Sequence, residues 1–133
     1  MKKILHVVAK VLFSLILILP VVGVTGMMGE PTRNLYNTDQ AYAFIQMLTE
    51  VMYINYLMAV VHIIALVALW TKREALGALL AFPITVNVVA FHAVIDGGLL
   101  TSGAVLANIM LLLNVYLLWK NRSAYQPLLS ASA

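Results

Sequence analysis

The chain has no cysteine, which excludes disulfides, thiolate metal ligands and a thiol redox pair of its own. Charge is almost as scarce, with eight Lys and Arg and five Asp and Glu in 133 residues. Within the first apolar run, residues 11–28, there is no acid at all. That removes the group a small multidrug exporter would need in its first span. The formal charge of +3 does not describe a nucleic-acid surface, because the basic residues stand in small groups beside apolar runs. No nucleic-acid partner is expected. Polar stretches long enough to form a separate soluble domain are missing too, since four spans of roughly 20 residues and their links use up the chain.

Apolar residues make up 63% of the sequence, against about 45–50% in soluble domains. They fall into four runs. The pattern predicts an all-α single domain in which four transmembrane helices form an antiparallel bundle, over residues 4–28, 51–70, 75–95 and 100–119. The first run exceeds the about 7–15 apolar residues of a signal-peptide core, and no A-x-A site follows it. It is therefore read as a retained helix. Between the first two spans, Asn37 and Gln40 have capping-box spacing, and Ala41, Phe44, Ile45 and Leu48 follow at helical intervals. A short amphipathic surface helix is expected over residues 38–49, and the polar tail at 123–133 is expected to be frayed.

Basic residues set the orientation. Lys2, Lys3, Lys10, Lys72, Arg73, Lys120 and Arg122 fall on one side of the predicted bundle, and Arg33 alone on the other. Both termini are then cytoplasmic, in a bacterial inner (plasma) membrane, and the lipid bilayer is the first partner.

The third predicted span carries Asn87, His92 and Asp96 through an otherwise apolar segment, where polar groups usually face protein or a water-filled cavity. Thr85, His92 and Asp96 fall within about 40° of one another in helical projection. Asn87 projects elsewhere, toward a different neighbouring helix. A carboxylate four residues from a histidine can hold the imidazole in one tautomer. Glu50 and Asn55 of the second span are the expected neighbours in an outward-facing pocket. An equally concrete alternative has His92 and Asp96 capping a helix end. Asn55, Asn87, Asn108 and Asn114 also read as amides that tie helices together.

His62 is expected to be a neutral imidazole bonded to an Asn or a backbone carbonyl. Counted inward from the outer ends, His92 is about three residues deep and His62 about eleven, a difference of roughly 12 Å at 1.5 Å per residue. That argues against one haem shared between them. The methionines read as adaptable packing and no metal site is assigned.

The run PITVNVVAFHAVID, from Pro83 to Asp96, and the run NVYLLWKNRSAYQPLL, from Asn114 to Leu129, resemble the DoxX family of small membrane proteins. The similarity extends over nearly the whole chain, including the basic start and the four-span layout. It departs after the first span, where Gly23-Val24-Thr25-Gly26-Met27-Met28-Gly29-Glu30 stands in place of a group with Phe, Gly and Lys. The resemblance implies a four-helix inner-membrane protein. Some relatives are linked to quinone-coupled sulfur oxidation or to membrane complexes that handle oxidative stress.

Together, the polar stripe and the resemblance lead to a subunit or accessory of a quinone-linked redox or oxidative-stress complex. A quinone headgroup would be held by Asn87, His92, Asp96, Thr85, Asn55 and Glu50, with a membrane-protein partner or a second copy alongside. No catalytic residue is assigned to the chain on its own. Two alternatives differ in class. One is a small-solute carrier or channel that uses the same groups. The other is a structural, partner-docking protein without chemistry of its own.

Overall fold

A computed structural model describes residues 1–131, whose regular structure is helical with no strand. Six helices follow one another: α1 (Lys2–Gly23), α2 (Asp39–Val51), α3 (Tyr53–Trp70), α4 (Glu74–Val94), α5 (Ala104–Lys120) and α6 (Arg122–Leu129). By length and composition α1, α3 and α4 could each cross a membrane. A fourth candidate span is α5 with α6, which turns away from it by 71°. In the packing, α3 lies along α4, α4 along α5, and α1 closes the ring against α3 and α5.

Small residues set how closely these helices approach. Ala65 and Ala68 of α3 and Ala78 and Ala81 of α4 are buried within the bundle. A Cβ added to Gly77 would stand 2.7 Å from the Ala65 carbonyl oxygen, so only glycine permits this contact. Such residues are favoured between membrane helices because backbone approach and dispersion, not water exclusion, drive association there. Phe13, Leu17, Leu69 and Leu117 fill the remaining core. Asn114 is fully buried among them and donates to the Ala78 carbonyl at 2.9 Å, joining α5 to α4.

Local structure departs from the sequence reading in three places. The first helix ends at Gly23 and not near residue 28, because Thr25 Oγ1 turns back onto the Val22 carbonyl and Gly26 adopts a left-handed φ of +78°. Thr38, not Asn37, caps α2, accepting from the Ala41 N–H at 3.0 Å. The separate helix expected before the second apolar run is present as α2; Met52, at φ +60°, breaks it from α3, and Asn55 Nδ2 donates to the Leu48 carbonyl across the break. The expected frayed tail is instead helical as far as Leu129, anchored by the Tyr125 hydroxyl on the Ala75 carbonyl at 2.7 Å. Residues 132 and 133 of that tail lie outside the described residues.

Candidate functional site

The end of α4 is wound onto the start of α2 by one carboxylate. Asp96 is 1% exposed, and both its oxygens are in use: Oδ2 lies 2.9 Å from His92 Nδ1, and Oδ1 accepts the Asn37 N–H at 2.7 Å. Thr38 doubles the tie, since the hydroxyl that caps α2 also donates to the Ile95 carbonyl at 2.6 Å. Gly97 and Gly98, at φ +86° and +108°, make the reversal that follows, and the Gly98 N–H returns to the His92 carbonyl.

This clamp fixes the hydrogen of His92. A carboxylate only accepts, so Nδ1 carries a hydrogen, and the tautomer this selects for the uncharged ring has its lone pair at Nε2. Aromatic rings cover the outer side: Phe91 stands edge-on to His92, and Tyr36 stands edge-on to Phe91. Burial, then the nearby charge of Asp96, pushes the Tyr36 phenol above its ordinary value.

Beside His92 lies a cavity of about 160 Å³ lined by α1, α3, α4 and α5 and open on one side. His62 lines it from α3, His92 from α4, and Gly103 and Met110 from the α5 side. His62 is fully buried and neither of its ring nitrogens has a hydrogen-bond partner. The Leu17 carbonyl acts on the ring but does not reach hydrogen-bond geometry. The expectation that His62 is bonded to an Asn or a carbonyl is thus corrected: its polar atoms are left over, which is uncommon for a buried side chain. Leu19 on α1 and Leu106 on α5 form part of the cavity wall and are 40% and 46% exposed. The cavity therefore reaches the outer surface between α1 and α5.

Its size bears on what can enter. An apolar cavity of about 150 Å³ accepts benzene, whereas pockets for larger ligands run to about 300–1,000 Å³. One six-membered ring fits. The depth difference between the histidines does not keep them apart, because the cavity extends along the helices and meets both.

Of the six residues picked from the sequence, only His92 and Asp96 touch. Thr85 is fully buried but spends its hydroxyl on the Ala81 carbonyl of its own helix. Asn87 is exposed in a groove between α3 and α4. Asn55 serves the break at Met52, and Glu50 is exposed in a depression shared with Glu30 and Gln46. Like Asn55 and Asn114, Asn108 donates to a backbone carbonyl, that of Leu99.

A second polar centre went unseen in the sequence. At the opposite end of the ring, Glu74 accepts from His6 Nε2 at 3.0 Å, Lys10 Nζ at 3.1 Å and Asn121 Nδ2 at 2.8 Å. Lys10 also lies over the Trp70 ring, whose indole N–H donates to Ser14. This cluster ties α1, α4 and the α5–α6 corner together. His6 and Lys10, one turn apart in the sequence, point to a shared partner on one face of α1; nothing in the order of residues says that it is Glu74. Among the described residues no three His, Asp or Glu side chains gather as a metal site.

No protein-family model, curated protein or solved structure matches the chain.

Proposed function

We propose that the chain is a four-span antiparallel bundle of the DoxX type in a bacterial inner membrane, with both termini cytoplasmic, that holds a quinol headgroup between His92 and His62. It serves as a subunit or accessory of a quinone-linked redox or oxidative-stress complex. The observation that carries the reading is the ring-sized cavity between a histidine oriented by a buried carboxylate and a histidine with both nitrogens unpaired. A quinol hydroxyl donates to His92 Nε2, and His62 meets the second oxygen as donor or acceptor. The surface opening beside Leu19 and Leu106 lets an isoprenoid tail remain in lipid. Electrons would leave through a partner, because these residues supply a proton acceptor and no electron acceptor.

The test is the quinone and quinol content of purified protein, measured by solvent extraction beside His92→Ala and His62→Leu. Wild type should retain bound quinone, and each variant should lose it by roughly tenfold or more, as for one lost charge-assisted or buried hydrogen bond. Equal content in all three proteins would sink the reading.

A second reading makes the outer clamp purely structural, favoured by the fact that both Asp96 oxygens are used in holding the protein's own groups. The carrier reading has less support, because Asn55, Asn108 and Asn114 are each engaged with a backbone carbonyl.

A further inference from the structure

Asn87 stands a little past the middle of α4, on a face that the ring of helices leaves uncovered. On that face Leu76, Pro83, Ala90 and Val94 are exposed and apolar, with Asn87 between them. Leu76, Pro83, Asn87, Ala90 and Val94, at i, i+7, i+11, i+14 and i+18, have the spacing of a seam between packed helices. Pro83 has no N–H to offer the Leu79 carbonyl, so this face also carries a backbone acceptor short of its helical donor. Asn87 borders a groove of about 470 Å³ between α3 and α4, with Leu57 and Val61 on the other wall.

The amide of Asn87 has no hydrogen bond among the described residues, unlike Asn55, Asn108 and Asn114. At this depth in hydrocarbon no water replaces the missing partner, so the exposed amide is costly unless something else meets it. Lipid tails fill a groove but neither donate nor accept. The group that completes the face must do both at the depth of Asn87.

We infer that this face is the interface with a second copy of the chain, α4 against α4, with the two Asn87 amides bonded to each other. An amide carries both donors and an acceptor, so it is its own complement. A two-fold axis along the membrane normal puts both copies of Asn87 at one depth, which an isologous contact requires. Ala90, next along the seam, keeps the two backbones close enough for the short amide side chains to meet. The inference is independent of what the interior cavity binds.

The absence of native cysteine makes disulfide trapping specific. Ala90→Cys reports on the proposed seam, and Val105→Cys, on the exposed face of α5, serves as control. After reconstitution of the purified protein alone into phospholipid vesicles, oxidation should give a disulfide dimer for Ala90→Cys and not for Val105→Cys. Adding Asn87→Leu should raise the dimer dissociation constant roughly 3- to 30-fold, the range expected for interhelical hydrogen bonds in lipid. Circular dichroism on that variant establishes that it is still folded. The inference is overturned if Ala90→Cys gives no dimer, if Val105→Cys dimerises equally, or if Asn87→Leu leaves the constant unchanged. An Ala90→Cys adduct with another polypeptide in native membranes, with monomer alone in vesicles, would also overturn it and assign the face to a different chain.

Discussion

His92 Nδ1 and Asp96 Oδ2 lie 2.9 Å apart, and the other oxygen of the same carboxylate holds the Asn37 N–H at 2.7 Å. One buried side chain thus orients an imidazole and docks the segment leading into α2. The consequences of losing it can be separated from the loss of His92 itself.

Asp96→Ala removes both bonds and leaves the Asn37 N–H and His92 Nδ1 without partners. Unfolding in detergent should become easier by about 2–4 kcal/mol, from one or two bonds to a charged acceptor. His92→Ala keeps the Asn37 bond and should lose less than half as much. Equal thermal losses in the two variants would refute this division of labour.

His62→Leu replaces a buried imidazole with two unpaired nitrogens by an apolar side chain of similar reach. The variant should be more stable by about 1–3 kcal/mol, the penalty for an unsatisfied buried polar group. It should at the same time lose quinone retention. A rise in Tm with a loss of ligand marks a residue kept for binding; a fall in Tm would show that the ring has a packing role instead.

Gly77→Ala should destabilise by about 1–3 kcal/mol through overpacking, because the added carbon falls 2.7 Å from the Ala65 carbonyl and 2.9 Å from Leu69. Gly98→Ala makes a useful comparison: a Cβ there would meet open space, but the φ of +108° strains any side chain. A neutral result at Gly77 would mean that α3 and α4 are free to separate.

Glu74→Ala leaves His6, Lys10 and Asn121 without their common acceptor. Stability should fall by about 1–3 kcal/mol, and α6 should become sensitive to protease first, since its corner loses the Asn121 tie. Protease sensitivity unchanged from wild type would contradict the proposed anchoring.

Alkaline titration tests the outer cover. The Tyr36 phenol ionises above its ordinary value of about 10 because burial and Asp96 oppose its negative charge. A raised folded-state pKa contributes stability that is present below about pH 10 and is lost as pH rises through the raised value. Tyr36→Phe should therefore weaken the alkaline fall in stability. An identical alkaline limb in the variant would exclude Tyr36 as its source.

Much of the helical layout was legible from apolar runs alone, because a segment in lipid must satisfy its backbone internally and so declares itself by length and hydropathy. Boundaries were less legible. The polar tail gave no sign of helix α6, whose anchor is a tyrosine hydroxyl on a carbonyl 50 residues away. The pair His92 and Asp96 could be found because the partners lie four residues apart, about one helical turn, at the end of one apolar run. Asn37, His62 and Gly103 complete that site from three other parts of the chain, and no spacing rule connects them.

What the order of residues determined by itself was the absence of thiol chemistry, the helical class, the apolar helices that could span a membrane, and the one local polar pair. Each follows from composition or from contacts within a turn or two of helix. Only the tertiary structure decided that His62 has no partner, that it shares a ring-sized cavity with His92, that Glu74 gathers three donors, and that Asn87 faces outward. Those outcomes depend on which helix faces are turned together, and in a segment apolar all round the hydrophobic pattern scarcely distinguishes one face from another.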